Sequence, residues 1–254
     1  MRAWWLLVVC ACNQVLDIKS TRGYQCWSSA DTEHDEDGDS FTDTCDNCPG
    51  DPNPTQQDSD HDGVGDVCDP HPGSVDRIEH FEAFLTLDDW SINSGSGAWS
   101  SDGEAALQSV DSDFNTLLLD SGAYRYATIE AVLSNIGPGT QLLDLAGIGM
   151  QTSNKSLLCA NGTVLGANPF LAMAGYTGTN QDASTNTPFP VEDPPLTLVM
   201  TTQRGVDPVC TARRGALTAT VTIASNLDAR PARIEIGTIN THATFEWLAV
   251  YAQP

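Results

Sequence analysis

The chain has 254 residues, 40% of them hydrophobic, and its 34 acidic against 11 basic residues leave a formal net charge of -23. The length allows one ordinary domain plus something smaller, and the charge excludes nucleic acid as a partner, because phosphates would be repelled. The charge is also uneven: Asp31 to Asp69 hold 14 acidic residues and no Lys or Arg, leaving only -9 for the remainder.

The chain opens MRAWWLLVVCACNQ. Arg2 precedes an apolar run of about nine residues, too short to span a bilayer and suited to the h-region of a signal peptide. Val9-Cys10-Ala11-Cys12 resembles a bacterial lipobox. Ala11 stands at the small-residue position, so Cys12 is the expected lipidated residue, whereas Val9 makes Cys10 a poorer acceptor. Residues 1–12 are therefore expected to be a lipoprotein signal peptide. The protein is expected to be exported, to the cell surface or outer membrane on a lipid anchor, or secreted after an ordinary signal cut. No later run of 18 apolar residues follows. Residues 13–30 read as a polar tether.

Residues 31–72 are rich in Asp, Gly and Pro and show neither helical nor strand periodicity. They contain a repeat: Asp35, Asp37, Asp39, Asp43 and Asp46 recur as Asp58, Asp60, Asp62, Asp66 and Asp69. Both copies read D-x-D-x-D-x-x-x-D-x-x-D. Calcium takes six to eight hard oxygens, and alternate carboxylates of a tight loop can converge on one ion. These ten aspartates are the candidate calcium ligands. The sixth position favours a residue that tolerates a sharp turn; the second loop has Gly63 there, but the first has Ser40, which predicts a weaker first site. Zinc is excluded by the ligand type, since so many carboxylates are too hard.

The spacing is that of an EF-hand up to its last ligand, but Pro52, Pro54, Pro70 and Pro72 deny the second loop flanking helices. Cysteines take the place of helices. Cys26 and Cys45 enclose 18 residues, and Cys48 and Cys68 enclose 19. Of the three pairings four cysteines allow, only Cys26–Cys45 with Cys48–Cys68 respects the repeat, and export favours disulfides.

With Asp46-Asn47-Cys48-Pro49 and Asn53-Pro54-x-Gln56 between the loops, the segment resembles thrombospondin type 3 repeats. The resemblance implies a calcium-wrapped, nearly coreless wire whose disulfides join successive loops. A dockerin repeats a similar loop, but follows it with a helix where this chain has Cys and Pro.

From about Arg77 the texture changes. LTATVTIAS places Leu217, Ala219, Val221 and Ile223 on one face, and ARIEIGTI, LTLVM and FEWLAVYA alternate likewise. Period two with β-branched enrichment predicts a mainly β domain over 77–254, an antiparallel sandwich. FEAFLTLDDW at its start and TFEWLAVY at its end are similar to the opening and closing strands of concanavalin A-like and laminin-G-like sandwiches, where first and last strands pair. Phe81, Phe84, Trp90, Trp99, Phe245 and Trp247 are expected in the core rather than on a sugar platform. Cys159 and Cys210 remain for a third disulfide.

Two functions fit these features. One is a calcium-stiffened surface lipoprotein whose lectin-like sandwich binds a glycan or a protein in adhesion. The other is a glycoside hydrolase, whose fold commonly sets its carboxylates on one strand as E-x-D-x-x-E. No such triplet occurs, and Glu130, Glu235 and Glu246 each stand alone at outward strand positions. H-E-x-x-H and G-x-S-x-G are also absent. The expectation is a binding protein, not an enzyme.

Overall fold

A computed structural model describes Cys26 and residues 33–95, 99–111, 114–137, 143–164, 168–177, 180–190, 195–224 and 231–253. The signal segment, Cys12 and most of the tether lie outside the described residues. Apart from a short 3-10 turn at Asp43–Cys45, the regular structure described is all β.

The strands are β1 (Arg77–Glu82), β2 (Trp90–Ser94), β3 (Trp99–Ser101), β4 (Ala106–Gln108), β5 (Phe114–Leu119), β6 (Thr128–Ser134), β7 (Leu143–Gln151) and β8 (Lys155–Val164). They continue with β9 (Phe170–Thr177), β10 (Asn180–Pro188), β11 (Leu196–Gln203), β12 (Val206–Arg214), β13 (Leu217–Thr222), β14 (Arg233–Ile239) and β15 (Ala243–Ala252). An eight-stranded sheet runs β13-β12-β11-β6-β15-β4-β3, with β1 also paired to β15. A seven-stranded sheet runs β10-β9-β8-β7-β14-β5-β2. Pairing is antiparallel throughout the described ladders, and the expected union of first and last strands is the β1–β15 pair.

Alternation explains why these segments form a sandwich. In β11, Leu196, Leu198 and Met200 are fully buried while Thr197 and Val199 between them are less so. Side chains of one parity face the partner sheet, and the two inner faces make one core around Phe84, Ile129, Ile148, Leu171, Leu198 and Phe245. Each such side chain contributes about 1.5–3 kcal/mol by leaving water. Cys159 of β8 and Cys210 of β12 are bonded across this core and tie the two sheets together.

β15 departs from simple alternation. Its register against β6 shifts between Phe245 and Trp247, a bulge at Glu246. Without it, Phe245 and Trp247 would share a face; with it, Phe245, Leu248 and Val250 enter the core, while Trp247, Ala249 and Tyr251 turn outward. Those outward residues are nonetheless buried, because the acidic repeats lie on them. Cys48, Val64 and Cys68 pack with Ile78, Trp247, Ala249 and Tyr251 in a second apolar cluster, with Phe81 at its edge. Trp247 is thus buried and Phe81 half-buried, both outside the sandwich core.

Candidate functional site

The two acidic loops share one conformation. Asp35 accepts from the amides of Gly38 and Ser40 at 2.8 and 3.0 Å, and Asp58 accepts from those of His61 and Gly63 at 2.7 and 3.1 Å. Phe41 N donates to Asp39 and Val64 N to Asp62; Asn53 N likewise to Asp39 and Asp76 N to Asp62. The third and fifth residues after the first aspartate of each loop take left-handed backbone: Gly38 and Ser40 at φ 75° and 85°, His61 and Gly63 at φ 66° and 104°. Each loop therefore meets one of its two left-handed demands with glycine and the other without.

This conformation gathers carboxylates. Oxygens of Asp35, Asp37 and Asp39 lie within 4.8 Å of one another, as do those of Asp58, Asp60 and Asp62. Asp37 Oδ2 is buried with no hydrogen-bond partner. Burial pushes the Asp37 carboxyl up to about 7, and the charges of Asp46, Asp39 and Asp35 act the same way, against one hydrogen bond from the Asp39 amide. An orphaned buried oxygen among crowded carboxylates fits a hard divalent cation, which favours the ionised form of Asp37. Asp35, Asp37 and Asp39 would hold one calcium ion and Asp58, Asp60 and Asp62 a second, each ion neutralising charge that otherwise drives its loop apart.

The other four aspartates lie outside these two groups. Asp43 accepts from the Glu36 amide at 2.8 Å and pairs with His34 Nδ1 at 2.8 Å. Asp66 accepts from the Ser59 amide and hydroxyl, each at 2.7 Å, bonds that hold its carboxyl below the ordinary value. Asp46 accepts from the Cys48 amide, and Asp69 from that of His71. Gln56, the last residue of Asn53-Pro54-x-Gln56, is buried and donates through Nε2 to Asp46 at 2.7 Å, so the linker motif is fastened back onto the first loop. Disulfides join Cys26 to Cys45 and Cys48 to Cys68.

The repeats sit closely on the outer face of the eight-stranded sheet. A Cβ at Gly50 would come to 2.7 Å from the Trp247 ring. His71 pairs with Asp76 at 3.0 Å and also contacts Gln203 of β11. Glu130 of β6 faces outward as the alternation implies, yet it is only 8% exposed, because the repeats cover it.

The outer face of the seven-stranded sheet differs. A registered row crosses it through Arg233, Gln151, Ser156, Tyr176 and Gln181. Arg233 donates to Ser91 at 3.3 Å and pairs with Asp120 at 2.5 Å. One rung along stands Glu235, which accepts from Asn93 Nδ2 at 3.3 Å. Burial raises the Glu235 carboxyl above its ordinary value, against the hydrogen bonds from Thr116 and Asn93. Next to Glu235 the same face carries Gly149, Leu158 and Ala174 in one register row and Gly237, Gly147, Ala160 and Ala172 in the next, all small except the half-buried Leu158. At Gly147 a Cβ would approach the Cys159 carbonyl oxygen to 2.2 Å, so the floor there is backbone. The sequence reading missed this face; the alternate glycines of AGIGMQ are the signal that marks it.

Residues 21–56 and 57–70 match the family model of the thrombospondin type 3 repeat. No curated protein matches the chain. Among solved structures, the chain is similar to a GH43 protein from Bacillus licheniformis, with TM-score 0.54, 14% identity, and coverage of 69% of this chain and 39% of that one. It thus spans about two fifths of that protein's length. It is also similar to a legume lectin-like domain from Entamoeba histolytica, with TM-score 0.53, 9% identity, and coverage of 66% and 91%. A Bacillus licheniformis β-glucanase gives TM-score 0.51, 12% identity, and coverage of 67% and 96%. At these identities the likeness concerns the fold. It corrects the expectation that the chain is not an enzyme: a β-glucanase shares the fold as fully as a lectin-like domain does. Physically, the absence of E-x-D-x-x-E excludes one single-strand arrangement and no more, since neighbouring strands also bring side chains together on one face, as β2, β5 and β14 do around Glu235. The chain carries thrombospondin type 3 repeats followed by a sandwich of the concanavalin A-like, legume lectin-like fold.

Proposed function

We propose that this is an exported, calcium-binding surface protein, anchored through a lipid on Cys12, whose repeats are docked on one sheet while the opposite sheet engages carbohydrate. The division runs between repeats at 31–72 and a sandwich at 77–254, and the ten repeated aspartates serve the calcium ions directly or by bracing their loops. One observation carries the carbohydrate reading. The repeats occupy the outer face of the eight-stranded sheet, whereas the other outer face bears a polar and aromatic row beside a floor of small residues. A flat sugar ring can lie on such a floor while Gln151, Arg233 and Glu235 hydrogen-bond its hydroxyls. The reading is tested on a glycan array with the full disulfide-bonded chain in millimolar calcium. Glycan binding lost in Gln151→Ala and Tyr176→Ala supports it; no binding to any glycan, or binding unchanged in both variants, refutes it.

A second reading, glycoside hydrolysis on the same face, is favoured by Glu235, whose raised pKa suits proton donation to a leaving oxygen. Release of reducing ends from a bound glycan, abolished in Glu235→Gln with binding retained, supports cleavage. Binding without release by the native chain supports recognition alone.

A further inference from the structure

Glu130 lies under the repeats in β6, between Val199 of β11 and Ala249 of β15, neither of which brings a charge. The charged and titratable groups that reach it come from three other places. Asp51 belongs to the repeats, Arg213 to β12 and Tyr251 to β15. Arg213 Nη1 is 3.6 Å from Glu130 Oε1 and remains largely exposed. Tyr251 is buried and held neutral, its hydroxyl pushed well above the ordinary range by burial and by the charges of Glu130, Asp51 and Asp46. The seam thus holds the Glu130 carboxyl away from bulk water, with Asp51 half-buried and the Arg213 guanidinium exposed at its edge. With both carboxylates ionised, one negative charge is left uncompensated there; with one proton retained, the seam is neutral. An uncompensated buried charge is costly, and the repeats can avoid that cost by lifting off.

We propose that the contact between repeats and sandwich is a proton-dependent latch, in which Glu130 keeps its proton beneath the seated repeats, at the edge of Arg213, and its ionisation loosens the seat. Burial pushes the Glu130 carboxyl up to about 7, Asp51 adding to the shift and Arg213 opposing it. Asp51 is itself raised by burial, with Arg213 opposing. The sign follows from the raised value. Seating gains from the proton fully below the ordinary glutamate range and loses that gain as pH rises through about 7. The latch is separate from calcium loading, because neither Glu130 nor Asp51 belongs to the two aspartate clusters.

The test is hydrogen exchange on the full chain in saturating millimolar calcium, read on the backbone amides of residues 46–53 and corrected for the intrinsic rate. Protection in the native chain should fall about tenfold between pH 6 and pH 8, the range over which a seated group titrating near 7 loses its proton. Glu130→Gln should remove that dependence and keep the repeats seated at pH 8, and Asp51→Asn should weaken it. Asp51→Asn lies in a half-buried turn, so it serves even if the β6 variant folds poorly. Unchanged protection across the range in the native chain, or the native dependence persisting in either variant, would overturn the latch.

Discussion

Ser40 and Gly63 occupy the same place in their two loops and share a left-handed backbone, φ 85° and 104°. The amide of each donates to the first aspartate of its loop, Ser40 to Asp35 and Gly63 to Asp58. A side chain in this region costs on the order of 1 kcal/mol relative to glycine. Ser40→Gly should therefore tighten the first site about fivefold, and Gly63→Ala should weaken the second by a similar factor. His61 meets the other left-handed position of the second loop at φ 66°, so His61→Gly should help the second site as well. Calorimetric titration with calcium on single-site variants reads all three effects.

Docking makes the sandwich sensitive to calcium. Chelation leaves the carboxylates of each cluster to repel one another and removes the term by which bound metal stabilises the seated state. The thermal midpoint of the full chain should fall by several degrees with chelator. Gly50→Val would drive a side chain into the Trp247 ring, where a Cβ already comes to 2.7 Å. Overpacking there should cost about 1–3 kcal/mol in calcium. The same variant should cost almost nothing in chelator, once the repeats have left. Scanning calorimetry in both conditions gives the comparison.

The bond between Cys159 and Cys210 closes a separation of 51 residues and joins the two sheets. On the chain-entropy model such a loop is worth about 4 kcal/mol. Cys159→Ala with Cys210→Ala should lower the urea midpoint of the sandwich without changing calcium affinity.

Glu235 carries a pH signature of its own. Its folded pKa is raised, so it favours the fold in acid, and that contribution is lost as pH rises through its folded value. Glu235→Gln should raise the thermal midpoint at neutral pH relative to the native chain and leave it nearly unchanged in acid. A series of melts across that range, in calcium, checks the sign.

Much of this was legible in the sequence, and particular residues show why the rest was not. The offset from Asp35 to Asp58 shows as a repeat of hydrogen bonds as well as of letters, because each aspartate caps its own loop locally. Alternation in LTLVM reads directly as the buried face of β11. FEWLAVYA is harder, because the bulge at Glu246 reverses the faces midway, and no local signal distinguishes Phe245 in the core from Trp247 under the repeats. Glu130 reads as an exposed carboxylate; only the tertiary seat of the repeats buries it. The polar row on the seven-stranded sheet was missed because its members come from five separate strands, so proximity on the face has no counterpart in spacing along the chain.

The central claim is that the acidic repeats bind calcium and are thereby seated on the sandwich. Its most direct test is calorimetric titration of the full chain, disulfides intact, with the thermal midpoint followed in the same samples. At least two ions should bind with heat at millimolar calcium or below, and the midpoint should rise with occupancy. Asp37→Asn with Asp60→Asn should abolish both effects. Absence of binding heat at millimolar calcium, or binding that leaves the midpoint where chelator puts it, would contradict the account.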